Sequence, residues 1–361
     1  MDIALKVLEE ITKSGFKAYI VGGFVRDYLL GLDTNDVDIC TDATPKDIKE
    51  IFVNVNLPVD GYSAVRLYIK KYTFDIMTFR KEISYYNNRK PAEIEYITDL
   101  KQDLLRRDFT INSLCMDVNG NIVDLLEVKD DIDKKIIRSI GDPITKFMED
   151  PLRILRAIRF YTVLDFDMDL AVIDAIKRTK GEIKRLSYSR KKDELNKIFS
   201  SPNASKGVKL ILELELDKEL ELDFSKCILN SDLIGIWSTI GINGNYPFTK
   251  NEKELINDIQ AAMKEDLTSK LVLYKYGPYV SSIAGSLKNM DRGVITNAYE
   301  NLPIHTRKDV NITANQIIGL LNVGPSHLIT DIYDDLINKI LCDKLDNNYQ
   351  AISNYIIDNY K

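Results

Sequence analysis

Between Ala18 and Val21 the chain reads AYIV, a short apolar run with strand length, and it ends on Gly22-Gly23. A helix is predicted next, followed by DVDIC, where Val37 and Ile39 alternate with Asp36 and Asp38. That period of two places the apolar pair toward a core and both carboxylates on the other face. Upstream, residues 1–15 carry apolar positions at helical spacing, with Gly15 closing the helix. DATPKDIKEIF reads as a second helix with Pro45 at its start. GYSAVRLYI and KYTFDIMTF alternate and read as paired strands. From Phe79 to Pro91 the text FRKEISYYNNRKP is polar, aromatic and charged without a clean period, which predicts a loop over a cleft. FMEDPLRILRAIRF, Phe147 to Phe160, reads as one helix with Leu152, Leu155 and Ile158 as its core positions. Beyond Pro202 the pattern is helical: ASKGVKLILELELDKEL, TKNEKELINDIQAAMKE and DLTSKLVLYKYG lead the series, and no repeat stands out. The predicted class is α+β, a mixed-sheet head followed by an all-α remainder.

Chemistry enters through the polar positions of this frame. Two glycines in the first turn let backbone N–H groups approach an anion, and the helix after them adds its positive end. Arg26 is placed to grip a phosphate. Asp36 and Asp38 project together, and side-by-side carboxylates repel unless a cation lies between them. A phosphate cradle beside paired acids points to a nucleoside triphosphate with Mg2+. Asp75, between Phe74 and Ile76, is either a third acid at this site or a surface residue of an edge strand. Asp108 follows Arg106 and Arg107; a helix cap explains Asp108 but not the two arginines. Asp150, Arg153, Arg156 and Arg159 recur every three residues on the predicted helix, so neighbours touch. Asp only accepts and Arg only donates, so Asp150 with Arg153 makes an edge complementary to cytosine and adenine, which present an amine donor beside a ring-nitrogen acceptor. Guanine and uracil present the reverse. The same spacing also fits a plain intrahelical ion pair, worth about 0.3–0.5 kcal/mol.

Bulk properties narrow the frame further. A chain of 361 residues is long enough for two to four domains. The net charge of −6 argues against nucleic acid, but between Ile176 and Leu210 eleven lysines and arginines face only Glu182, Asp193 and Glu194. That basic stretch suits an RNA backbone or a solvated helix face equally. Cys40, Cys115, Cys227 and Cys342 are far apart, and the expectation is free thiols in a reducing cytoplasm with no zinc site. His305 and His327 are the only histidines and neither precedes Asp, which removes most His-based catalysis. The N-terminal segment is an amphipathic helix unlike a signal peptide, and no apolar run reaches the ~18 residues that cross a bilayer.

GGFVRD, DVD, RRDFTIN and EDPLRILRAIRF together resemble the bacterial class (class II) of the tRNA nucleotidyltransferase and poly(A) polymerase family, closest to its CCA-adding enzymes. The resemblance is close over about the first 200 residues and looser beyond. It implies a nucleotidyltransferase-superfamily mixed-sheet head, then an all-α neck, body and tail forming an RNA-binding crescent. The expected divisions are a catalytic head at 1–145, a neck with the nucleotide-recognition motif at 146–205, a body at 206–270 and a tRNA-binding tail at 271–361. It further implies that Asp36 and Asp38 hold Mg2+ with Asp75 assisting, and that Gly23 and Arg26 contact the triphosphate. Arg107 with Asp108 would select the ribose 2′-hydroxyl, Asp150 and Arg153 the base, and Arg156 and Arg159 would support nucleotide and phosphate binding. The implied reaction adds C, C and A from CTP and ATP to the tRNA 3′ end without a template, in the cytoplasm and away from membranes. The tail from Leu302 would bind the tRNA elbow, although Ala314-Asn315 stand where relatives tend to have Gly-Asp. Arg80, Glu82, Arg89 and Pro91 keep the family spacing of the segment that assists the switch from C to A. Two departures keep an A-adding specialist open: DLLEVKDDID from Asp124 lacks the usual hinge glycines, and Ser189 replaces an expected Glu before Arg190. Poly(A) polymerase and a catalytically silent RNA-binding protein are the remaining alternatives.

Overall fold

The computed structural model describes residues 2–52, 55, 56, 64–86, 90–242 and 244–361, those at 55, 56, 82–86 and 90–93 by backbone alone. The chain divides into two compact units, Met1–Glu221 and Leu222–Lys361.

The first unit begins with α1 (Asp2–Lys13), β1 (Ala18–Val21), α2 (Gly23–Leu29), β2 (Asp36–Thr41) and α3 (Pro45–Ile51). Thr44 and Asp47 form a reciprocal capping box in front of α3, with Pro45 at its first position, as predicted. β3 (Val55–Asn56), β4 (Ala64–Ile69), β5 (Tyr72–Thr78), β8 (Cys115–Met116) and β9 (Ile122–Val123) complete a mixed seven-stranded sheet in the order β3-β4-β5-β2-β1-β8-β9. β2 and β5 run parallel, with Asp38 beside Asp75, and the other neighbours are antiparallel. β5 therefore has a strand on each side, which excludes the edge-strand reading of Asp75. The sheet is covered on both faces. Val37, Ile39, Phe74 and Ile76 are buried on one; Val21, Cys40 and Cys115 pack with Phe79, Leu100 and Leu104 on the other. All four cysteines are free thiols.

Residues 61–63 of the predicted strand, Arg89, and the side chains of Glu82 and Pro91 lie outside the described residues. The expected loop from Phe79 is corrected by the backbone: β6 (Arg80–Tyr86) and β7 (Lys90–Tyr96) form a two-stranded antiparallel ribbon apart from the main sheet. A two-stranded ribbon is not obliged to bury one face, so its sequence need not alternate.

After α4 (Leu100–Leu105) and a 3-10 turn at Thr110–Asn112 come α5 (Lys129–Asp133), the paired strands β10 (Ile136–Ile137) and β11 (Asp167–Met168), α6 (Pro143–Glu149), α7 (Leu152–Val163), α8 (Leu170–Thr179), α9 (Tyr188–Phe199), α10 (Ala204–Glu213) and α11 (Leu216–Leu220). The single helix predicted over Phe147–Phe160 is two helices, broken at Asp150-Pro151. Asp150 is extended at φ −141°, as steric conflict with the following proline ring demands. Leu152 is only partly buried, and Ile154, Leu155, Ala157 and Ile158 form the buried face of α7. The helix expected from Ala204 to Leu220 also breaks, at Glu215, whose φ is +55°. Many charges of the basic stretch have partners: Lys180 with Glu215, Lys184 with Glu219, Lys206 with Asp165 and Arg185 with Glu182.

The second unit carries β12 (Leu222–Asp223), α12 (Leu233–Thr239), β13 (Gly241–Ile242), α13 (Lys250–Ala262), α14 (Lys270–Leu287), α15 (Arg292–Glu300), α16 (Ala314–Leu321), α17 (His327–Leu341) and α18 (Tyr349–Tyr360). Trp237 is buried against Tyr246 and Phe248, and a continuous apolar cluster runs from Ile259 to Ile356. α14 contains a break at Gly277 (φ +72°) before Pro278, so the helix predicted up to Gly277 resumes beyond it. Tyr355 and Tyr360 both donate to Asp335, at 2.6 and 2.9 Å, tying α18 to α17. Among the described residues no helix is long and apolar enough to cross a membrane.

α10 lies so close to α7 and α9 that a Cβ on Gly207 would stand 2.3 Å from Thr162 Oγ1 and 2.8 Å from Ile198 Cγ2. Ala gains about 1 kcal/mol in helix propensity, while forced overpacking costs about 1–3 kcal/mol. Gly207→Ala is expected to lower stability by up to about 2 kcal/mol in urea unfolding; a stabilised variant would show that α10 moves aside freely.

Candidate active site

A cleft of about 510 Å³ in the first unit gathers Gly22, Gly23, Arg26, Asp38, Arg107 and Asp108 from the sheet side with Asp150, Arg153, Arg156 and Arg159 from α7 and its approach. Asp36 and Asp75 do not line it. The turn that opens the site requires glycine. Gly22 has φ +77°, and a Cβ there would meet Asp38 Oδ2 at 2.9 Å. At Gly23 a Cβ would stand 3.4 Å from Arg26 Nη2, an ordinary contact, which places that guanidinium against the turn.

Arg26 is buried and fixed on two sides. Its Nε donates to Asp27 Oδ1 at 2.8 Å and its Nη1 to Asn112 Oδ1 at 2.7 Å. Asn112 in turn donates to Asp108 Oδ1 at 3.3 Å, and Arg156 donates to Asp108 Oδ2 at 2.6 Å from Nε. Asp108 also accepts the Phe109 N–H at 2.8 Å, so it caps no helix and both its oxygens are engaged by protein. Burial alone would raise the Asp108 carboxyl, but Arg156, the Phe109 N–H and Asn112 outweigh it and hold its pKa at about 2.

α4 presents Asp103, which is fully buried, with Arg106 and Arg107 three and four residues on. Asp103 binds Arg106 at 2.8 Å and Arg107 at 3.1 Å, and its Oδ1 accepts the Arg80 N–H at 3.2 Å. Arg153 is buried as well. Its Nη1 donates to Glu149 at 2.9 Å and the Lys146 carbonyl at 3.1 Å, and its Nη2 to the Arg106 carbonyl at 3.0 Å. A guanidinium has five N–H groups, so Nε–H and one Nη2–H of Arg153 have no partner among the described residues. Asp150 does not pair with Arg153, as the ion-pair reading required. Its Oδ1 accepts the Leu152 N–H at 3.1 Å and its Oδ2 takes Arg190 from α9 at 2.9 Å. Arg159 is paired to buried Glu194 at 3.0 Å, and burial, then repulsion from Arg156, lowers its pKa to about 10. The guanidinium carbons of Arg26, Arg156 and Arg159 lie 5.5, 5.3 and 4.6 Å from the Phe160 ring centroid.

On β2, Asp36 is exposed and Asp38 partly buried. Burial, with the charges of Asp75 and Asp36, raises the Asp38 carboxyl against the pull of Arg107 and Arg156. Asp38 has no hydrogen bond or ion pair among the described residues, a situation that suits a bound cation. No three His, Cys, Asp or Glu side chains among the described residues gather as a complete metal cluster. The donor set fits a hard divalent ion that keeps water and takes substrate phosphate oxygens as ligands. Asp75 has a protein cation instead: Arg66 on β4 donates to it at 2.6 Å from Nε and 2.7 Å from Nη2.

Reading the sequence missed Asp103, Asn112 and Phe160, and gave Arg106 and Arg190 no place in the cleft. Asp103 left one signal, its spacing of three and four residues from two arginines just past the end of its helix. Asn112 and Phe160 each stand four residues after a partner, Asp108 and Arg156, but their contacts with Arg26 come from another element and left no signal.

Because the folded pKa of Asp108 is depressed, its stabilisation is present above the unfolded value and is lost as pH falls through about 4 toward 2. The shift corresponds to about 2 kcal/mol. Asp108→Asn is expected to be less stable than the native chain at neutral pH, with the gap narrowing between about pH 4 and pH 2 in urea unfolding followed by circular dichroism. A gap independent of pH would remove the Asp108–Arg156 pair from the account.

Three family models match successive parts of the chain: the poly A polymerase head domain over residues 18–138, the probable RNA and SrmB-binding site of polymerase A over 165–223, and the putative tRNA nucleotidyltransferase domain 2 over 247–356. The CCA-adding enzyme of Ligilactobacillus salivarius is 33% identical, covering 97% of this chain and 94% of its own. That of Staphylococcus haemolyticus is 30% identical, covering 99% and 98%. Among solved structures, the Bacillus stearothermophilus CCA-adding enzyme in complex with CTP shares the fold at a TM-score of 0.85 and 21% identity, over 98% of this chain and 96% of that one. Relatives at this identity, matched over nearly their whole lengths, show that the chain belongs to the tRNA nucleotidyltransferase and poly(A) polymerase family, on its CCA-adding branch.

Proposed function

We propose that this chain is a template-independent CCA-adding tRNA nucleotidyltransferase. On this reading it transfers C, C and A from CTP and ATP to the tRNA 3′ end in the cytoplasm and releases pyrophosphate. The observation that carries the reading is the convergence on one cleft of the Gly22-Gly23 turn, Asp38, Arg107, Asp150 and Arg153, in a chain 33% identical to a CCA-adding enzyme. Solved relatives include a Thermotoga maritima CCA-adding enzyme complexed with tRNA, which supports tRNA as the acceptor.

Each side chain has a task in this scheme. Arg26 and the glycine turn bind the triphosphate, and Arg156 and Arg159 add positive charge along it. Asp108, with both oxygens engaged, acts by fixing Arg156 and Asn112, which leaves Arg107 to meet the ribose. The free N–H groups of Arg153 donate to the unprotonated ring nitrogen of cytosine or adenine, and Asp150 accepts from the exocyclic amine. Guanine and uracil would set donor against donor. The family works with a divalent metal; we assign Mg2+ to Asp36 and Asp38, where it would favour ionisation of the acceptor hydroxyl and balance charge on the leaving pyrophosphate. Asp75 assists only when it leaves Arg66. The remaining contribution of the chain is positioning. On this reading the head at 1–145 and neck at 146–205 do the chemistry, and the body at 206–270 and tail at 271–361 hold the tRNA, the tail at its elbow.

An A-adding specialist is favoured by one feature. Glu127 stands in the hinge segment at φ +56°, and Asp124 accepts the Val128 and Lys129 N–H groups, so the segment is held in a glycine-like conformation without glycine. Incubation of tRNAs ending before CCA and after CC, with CTP, ATP and Mg2+, separates the two by sequencing of the products. Completion of both substrates is expected; extension of only the CC-ended tRNA assigns the specialist role. Long A tracts on unrelated RNA would make it a poly(A) polymerase, and no incorporation would leave an RNA-binding protein. Asp36→Ala is expected to abolish incorporation while tRNA binding survives, and full activity would remove the metal assignment. Asp150→Ala is expected to slow addition and relax rejection of GTP and UTP, and unchanged selectivity would discard the Asp–Arg edge.

A further inference from the structure

We infer that Asp103 is the positioning residue for ribose selection: it sets the orientation of Arg107, and through Arg107 the preference for a 2′-hydroxyl. The inference rests on the role proposed for Arg107 and adds the residue that makes that role possible. Arg106 and Arg107 are consecutive guanidiniums at the cleft, each mostly buried, and would repel each other without an anion between them. Asp103 is that anion. It is fully buried in α4, three and four residues before its partners, which stand just past the end of that helix, and its two oxygens reach both. Its Oδ2 receives Arg107 Nη2 at 3.1 Å and its Oδ1 receives Arg106 Nε at 2.9 Å, so each oxygen serves a different arginine.

Two further observations show that this is an orienting contact and more than charge balance. Arg107 Nε is buried without a hydrogen-bond partner among the described residues, so the contact of Nη2 with Asp103 is what orients this guanidinium. Asp103 Oδ1 also receives the Arg80 N–H at 3.2 Å, which anchors the carboxylate from outside its own helix. A carboxylate pinned from two elements holds Arg107 in one rotamer. Selection for a single hydroxyl depends on such placement, because a donor moved by an ångström no longer distinguishes ribose from deoxyribose. Arg106, whose side chain shares this carboxylate, offers its main-chain carbonyl to Arg153 Nη2 at 3.0 Å, so the base-reading arginine abuts the same turn.

The test compares kcat/KM for ATP and 2′-dATP in single-nucleotide addition to tRNA ending in CC. The variants are Asp103→Asn, Arg107→Ala and the double variant, with melting temperatures measured alongside. The expected result is a roughly tenfold fall in the ATP-to-dATP ratio for Asp103→Asn and no further fall when Asp103→Asn is added to Arg107→Ala. Equal losses with ATP and dATP in Asp103→Asn, while Arg107→Ala still collapses the ratio, would overturn the inference and leave Arg107's role standing. An unchanged ratio in Arg107→Ala would overturn that role and the inference with it. If Asp103→Asn fails to fold, Asp103→Glu keeps the charge but displaces Arg107 by one methylene. There the ratio is expected to fall severalfold at near-native melting temperature, and a native ratio overturns the inference.

Discussion

Crowded positive charge is the constraint on which the first unit is built. Arg26, Arg106, Arg107, Arg153, Arg156, Arg159 and Arg190 all line one cleft of about 510 Å³. Left alone they would drive each other into solvent. Each instead faces a carboxylate: Asp27, Asp103 for two of them, Glu149, Asp108, Glu194 and Asp150. Burying one member of such a pair without the other is strongly unfavourable, so pairing and fold stand or fall together. The arrangement also explains how an acidic chain with a net charge of −6 builds a site suited to a triphosphate. What matters is the direction in which fixed donors point, and the acids at their backs set that direction.

The acids on the sheet follow a different rule. Asp38 is hemmed in by Gly22 and has no partner among the described residues, whereas Asp75, beside it on the next strand, is held by both donors of Arg66. Two carboxylates of the same sheet face therefore differ in availability, and the difference comes from what stands opposite each on the neighbouring strand: Val21 across from Asp38, Arg66 across from Asp75.

Much of this was legible in the chain, and the boundary of what was legible has a physical basis. The glycine turn, the Asp-x-Asp strand and the helix with Pro45 at its start are local devices, fixed by residues within a few positions of one another, and the sequence announces each. The break at Asp150 was also local, since the proline that forces it is written next to it, but apolar spacing on either side concealed it. The β6–β7 ribbon was read as a loop because its backbone pairing leaves no periodic trace. The partners of Arg156 and Arg159 are illegible for another reason. Glu194 lies on α9, 35 residues beyond Arg159, and Asp108 lies 48 before Arg156. Only packing brings such pairs together, and no spacing rule within one element can announce them.

Phe160 differs in kind from every other group in the cleft. The acids hold arginines by hydrogen bonds with fixed directions, but the ring holds Arg26, Arg156 and Arg159 through the electrostatics of a flat π-face, which is nearly indifferent to rotation of the guanidinium above it. The ring therefore adds no direction of its own; the acids set that. It is one surface shared by three guanidiniums, so truncating this single side chain would loosen all three at once.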